Sequence, residues 1–186
     1  MFNLIIYYMY TMSLRNIFNE SKKYSLMGAD HWSTMVSPSN IEIHLNNGSN
    51  VAITLTTQNT MYSFTPSGVQ WSNDLSLSGF SYNINTGIIT STTTVPVRCF
   101  FAINVCYTTN DVVTNSLKFQ LYKNGTALVG HTVLTWVDGN SYPNNCCLTG
   151  MDDVNFNDTY ELKVSCTTNA SSTVIPTFLN YSIYSI

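Results

Sequence analysis

From residue 40 onward the chain repeats one pattern: a short run alternating apolar with polar residues, then a cluster of Asn, Gly, Asp or Pro. A period of two puts successive side chains on opposite faces of an extended strand, whereas a surface helix needs a period of about 3.6. No segment beyond residue 40 keeps a helical period for more than two turns, so the pattern commits this part to β structure, with the spacing of an antiparallel sandwich or barrel. Strands are expected at 41–45 and 51–55, and around 60–64, 68–71, 79–83, 87–92, 97–107, 116–122, 126–135, 145–150, 158–167 and 176–185. Ile41, Ile43 and Leu45 alternate, Asn46-Asn47-Gly48-Ser49 supplies a turn, and Val51, Ile53 and Leu55 alternate again. An Asn-Gly pair offers the positive φ angles of a tight turn, so these two runs are expected to pair as a hairpin.

Two of the runs are apolar on both faces. In 98–107 (RCFFAINVCY) one face carries Cys99, Phe101, Ile103 and Val105, and the other Phe100, Ala102 and Cys106 around Asn104. The last run has Leu179, Tyr181 and Ile183 on one side and Phe178, Tyr184 and Ile186 on the other. In a two-sheet sandwich one strand face meets the opposite sheet, and a second apolar face calls for further cover. A neighbouring chain is the expected cover, through Phe100, Phe101, Phe178, Tyr181 and Tyr184; an N-terminal arm folded over the patch is the alternative.

Charge is correspondingly scarce. Asp, Glu, Lys and Arg make up 9% of the 186 residues, against about 25% in ordinary soluble proteins. The place of charge is taken by 22 Asn, 24 Thr and 21 Ser. Seven Lys plus Arg and a formal charge of −3 lack the basic footprint of a nucleic-acid binder. The length suits one domain, divided here into an arm (residues 1–40) and a β domain (residues 41–186). Phe2 to Tyr10 is strongly apolar but far short of the roughly 20 residues that span a bilayer. A signal peptide is one reading of it, although no basic residue precedes the run and no clear small-x-small site follows. An arm reaching a neighbouring subunit, or upstream sequence ahead of a second start at Met12, remains open. Segment 13–27 has Leu14, Ile17 and Phe18 at helical spacing after Ser13 as a cap, so one short helix is expected there.

Cys99, Cys106, Cys146, Cys147 and Cys166 form an odd set without a CxxC pair. They read as buried thiols in a reducing compartment rather than a disulfide framework or a zinc site. Six Asn-x-Ser/Thr sequons begin at Asn19, Asn47, Asn124, Asn157, Asn169 and Asn180, close to the number that 22 Asn among so many Ser and Thr produce by chance. His31, His44 and His131 have no nucleophile elbow, metalloprotease helix or reactive-cysteine context, so no catalytic residue and no cofactor are expected. Asp152, Asp153 and Asp158 lack the alternating ligands and closing Glu of a calcium loop and read as a solvated turn, so no metal is expected either. Trp71, Trp136 and Tyr142 lie near Asn-rich loops, a chemistry suited to stacking on sugars, although packing is the first expectation for the tryptophans.

The order of motifs from residue 82 to the end resembles the trimeric jelly rolls of the tumour necrosis factor and complement globular-head superfamily. The residues are Tyr82 to Thr90 (YNINTGIIT), the aromatic strand Val97 to Val105, Leu117 to Gly125 (LKFQLYKNG), Asn157 to Leu162 (NDTYEL) and the closing strand from Thr177-Phe178-Leu179. A glycine before the central aromatic and the glycine of a Gly-Asp pair are absent, with Asn157 in the latter place, and no collagen-like stalk precedes the domain. The resemblance implies a single jelly roll of about ten antiparallel strands, joined as a homotrimer through the aromatic faces. By analogy, the uncharged polar composition looks like capsid-associated proteins of large DNA viruses. The expected role is therefore a structural virion protein that contacts neighbouring capsid proteins. The alternatives are a receptor- or glycan-binding fibre head and a secreted cytokine-like trimeric ligand.

Overall fold

The computed structural model describes residues 39–45, 52–65, 68, 70–73, 78–110, 115–137, 142–168 and 172–186. The helix expected in 13–27 and the arm up to residue 38 lie outside these residues, as does the turn expected at 46–49. Among the described residues all regular structure is extended, in twelve strands. They are β1 (Asn40–Leu45), β2 (Ile53–Leu55), β3 (Tyr62–Ser63), β4 (Trp71–Asn73), β5 (Phe80–Tyr82), β6 (Ile89–Ser91), β7 (Val97–Thr109), β8 (Asn115–Lys123), β9 (Thr126–Val137), β10 (Asn144–Val154), β11 (Thr159–Cys166) and β12 (Ser172–Ser185).

Two antiparallel sheets form a jelly-roll sandwich. The first runs β10-β7-β12-β1-β4, with β2 also paired to β12; the second runs β5-β6-β11-β8-β9, with β3 paired to β11. The expected hairpin of β1 and β2 is not formed. Both instead pair antiparallel with β12, Leu45 opposite Leu179 and Ile53 opposite Val174. They therefore run in the same direction along one flank of that long strand. Fourteen residues of β12 supply a longer template than either short strand offers the other, so a remote partner outcompetes the local turn.

The inner faces meet in one core. Phe101 and Tyr107 of the first sheet cross to Tyr160 and Phe119 of the second, with ring centroids 4.8 and 5.1 Å apart. The Leu162 N–H of β11 donates to the Tyr181 hydroxyl of β12 at 2.7 Å, a polar tie between the sheets. Burial holds the Tyr181 hydroxyl far above its usual range, against the pull of that N–H, so it stays protonated.

The glycine of YNINTGIIT has a steric reason. Asn83 caps the turn, its side chain accepting from the Asn85 N–H at 2.9 Å. Gly87 follows at φ +66, and a Cβ there would overlap the Trp71 indole, which is 2% exposed. Left-handed backbone and a buried ring both exclude a side chain. Gly87→Ala is expected to cost about 2–4 kcal/mol, combining the backbone and overpacking penalties. A urea unfolding midpoint within error of the parent chain would contradict this.

Candidate functional site: the outer face of the β10-β7-β12-β1-β4 sheet

Alternation along β7 sends Phe101, Ile103, Val105 and Tyr107 into the core and leaves Arg98, Phe100, Ala102, Asn104 and Cys106 outside. On β12 the register shifts between Pro176 and Phe178. Proline has no N–H for the ladder, and a bulge there changes which residues face inward. Before the shift Val174 and Pro176 are buried; after it Leu179, Tyr181 and Ile183 are. The bulge thus turns Phe178 and Tyr184 outward.

Register then gathers these residues into rows. Met151, Phe100 and Tyr184 stand side by side across three strands, and Phe178 is opposite Cys106. Met151 is 54% exposed, Phe178 43% and Tyr184 39%, with Phe100 half-buried and Ile186 at the strand's end 70% exposed. Between the apolar rows runs a polar one. Asn180 donates to the Glu42 Oε1 at 2.9 Å and accepts from the Ser182 hydroxyl at 3.1 Å, while His44 and Ser72 share a 2.8 Å bond. At the rim Arg98 stands 3.8 Å from Asp153, both well exposed. Asn104, Cys106, Asn145 and Cys147 line a shallow cleft of about 290 Å³ on the same face.

The five proposed contact residues therefore divide. Phe100, Phe178 and Tyr184 lie on this outer face. Phe101 and Tyr181 do not: they are 0% and 2% exposed, held within the sandwich by the contacts above, and have no surface to offer a neighbour. Met151 was missed because β10 was expected to stop at residue 150; the outward alternation of Cys147, Thr149 and Met151 was the available signal. The five thiols, expected to be buried, are not uniformly so. Cys99 and Cys166 are buried, Cys106 and Cys146 intermediate and Cys147 exposed, and all are free. Burial pushes the Cys99 thiol up to about 11 and the Cys146 thiol up to about 12, with neighbouring Asp152 and the Cys147 and Cys106 thiols adding respectively.

Asp153 is exposed, but Asp152 and Asp158 are not part of a solvated turn. The Lys123 ammonium lies 2.8 Å from Asp152 Oδ2 and 2.9 Å from Asp158 Oδ2. The Tyr160 hydroxyl donates to Asp152 at 2.8 Å, and the Asn124 amide to Asp158 at 2.7 Å. Burial would raise the Asp158 carboxyl, but the Asn155 N–H, Asn124 and Lys123 outweigh it and hold it below its usual range. Among the described residues no group of three or more His, Cys, Asp or Glu is placed to hold a metal ion. Trp136 and Tyr142 are exposed at 65% and 70%, whereas Trp71 is core.

The two sheets and their strand order define a jelly-roll β-sandwich. Among solved structures the chain is similar to Eiger TNF from S. frugiperda, at 10% identity and a TM-score of 0.49, covering 77% of this chain and 92% of that one. It is also similar to murine APRIL, at 14% identity and a TM-score of 0.47, covering 78% and 98%. No protein-family model and no curated protein sequence matches the chain.

Proposed function

We propose that the protein is a self-associating binding protein, a homotrimer joined through the outer face of the β10-β7-β12-β1-β4 sheet and acting as a cytokine-like ligand. The observation that carries the assembly is the row Met151-Phe100-Tyr184 with Phe178 nearby, an apolar surface on a strongly bonded sheet with its charges at the rim or already bonded. Interface cores are depleted in charge and enriched in aromatic residues and Met in the same way. The ligand role is in keeping with the TNF-type structures to which the fold is similar. The virion role expected from composition finds no support in the fold.

Sedimentation at micromolar concentration tests the assembly. The parent chain is expected at three times its 20.8 kDa mass. Met151→Asp with Tyr184→Asp is expected to run as a folded monomer, because charges on a desolvated face oppose association. A parent chain that stays monomeric at tens of micromolar ends this reading. A glycan-binding head is the second reading, favoured by the exposure of Trp136 and Tyr142. A glycan array probed with the parent chain and Trp136→Ala decides it: silence from both removes it.

A further inference from the structure

β9 and β10 are the terminal strands of the two sheets at one side of the sandwich, and His131 sits between them. The ring occupies the space that a side chain on Gly150 of β10 would take and meets the Phe101 ring of β7 edge-on, centroids 5.8 Å apart. It is 6% exposed, and neither ring nitrogen has a hydrogen-bond partner in the protein. Of the titratable groups on the surrounding elements, Asp152 of β10 acts on the imidazole, and it is tied to Lys123 of β8, Tyr160 of β11 and Cys99 of β7, with Asp158 just before β11 on the same lysine. Asp152 is already engaged by Lys123 and Tyr160, and Asp158 by Lys123, Asn124 and Asn155. A proton on His131 would place a cation in an aromatic pocket where the Gly150 backbone and an already engaged Asp152 compensate it only in part, and a buried charge so weakly compensated is costly to hold.

We propose that His131 is an acid-released latch: proton uptake by its imidazole drives the ring out of the Gly150 notch and opens the β9–β10 side of the sandwich. Burial lowers the proton affinity of the closed form, with Asp152 and the nearby Gly150 backbone opposing more weakly. In the opened form the ring regains its usual affinity, near pH 6.5. The open form binds more protons, so the closed form has its full stability above about pH 6.5 and loses it as pH falls. The opening constant rises by up to about tenfold per pH unit until His131 titrates in the closed form as well. Met151 follows Gly150 and projects from the assembly face, so opening displaces one end of its apolar row. Acid weakening of self-association follows, and this consequence alone rests on the function proposed above.

The test uses the full chain with His31→Asn and His44→Asn, which leaves one imidazole for NMR titration. Hydrogen-exchange protection of β9 and β10 is followed from pH 7.5 to 5. The expected result is an imidazole that titrates below 6.5, with protection of β9 and β10 falling as pH drops below that value while protection of β11 holds. His131→Gln is expected to abolish the acid-dependent loss. Titration at or above 6.5, or unchanged β9 and β10 protection in the chain that retains His131, overturns the latch even if His131→Gln fails to fold. Sedimentation of the parent chain, with His44 intact, over the same pH range separates the two proposals: a monomer at all pH values with an intact exchange step removes the assembly and leaves the latch standing.

Discussion

Phe101→Ala is expected to destabilise the fold by about 3–5 kcal/mol, while the same change at the preceding residue, Phe100, costs the protomer about 1 kcal/mol or less. The two rings are adjacent in sequence and opposite in direction. Phe101 is fully buried, packed on Tyr160 and His131, and its removal leaves a cavity that the rigid central strand cannot collapse to fill. Phe100 stands half-buried on the outer face beside Met151 and Tyr184. Its loss is expected to weaken self-association tenfold or more. Unfolding midpoints measured over a range of protein concentrations separate the effects, since an assembly stabilises its protomers by mass action. The Phe101→Ala deficit should persist at every concentration. The Phe100→Ala deficit should shrink on dilution to the small cost borne by the protomer alone. Equal, concentration-independent losses at both positions would show that the outer face has no partner.

Lys123→Met is expected to cost about 3 kcal/mol at neutral pH, in the range for breaking a largely buried ion pair from one side. The ammonium bridges Asp152 and Asp158, whose side chains are 20% and 10% exposed, and also donates to the Asp153 carbonyl at 2.6 Å. Without it two carboxylates face each other with reduced solvation. The deficit should shrink in acid. Asp158 has a lowered pKa in the folded parent chain, so its contribution is present above the ordinary carboxylate range and is lost as pH falls through the folded value. Removing Lys123 weakens that contribution, and the variant's stability should depend less on pH below about 4. Urea titrations of both chains at pH 7 and pH 3 measure this. A deficit that is the same at both values would mean that Lys123 acts through its aliphatic stem rather than its charge.

Much of the fold was legible because strands report themselves locally. The runs at 97–107, 116–122, 126–135 and 158–167 fall on β7, β8, β9 and β11, since alternation and turn residues are properties of neighbouring positions. Pairing was less legible. Asn46-Asn47-Gly48-Ser49 has the chemistry of a hairpin turn, yet β1 and β2 both join β12, a partner more than a hundred residues away. The site divided along the same line. That β7 and β12 are apolar on both sides could be read from the letters; which side faces the other sheet could not, because a period of two is symmetric until something fixes the faces. On β12 the register shift at Pro176 takes part in that choice.

Lys123, Asp152 and Asp158 look like an ordinary turn lysine and loop acids in one dimension, and His131 looks like one more histidine without a motif. Their roles come from the closing of the sandwich edge, which brings the ends of β8, β10 and β11 together and leaves Gly150 as a notch for the ring. The sequence alone determined the β class, the strand positions and the scarcity of charge, because these rest on periodicity and composition. Only the tertiary structure decided which aromatic rings are core and which are surface, because burial depends on what stands opposite a residue.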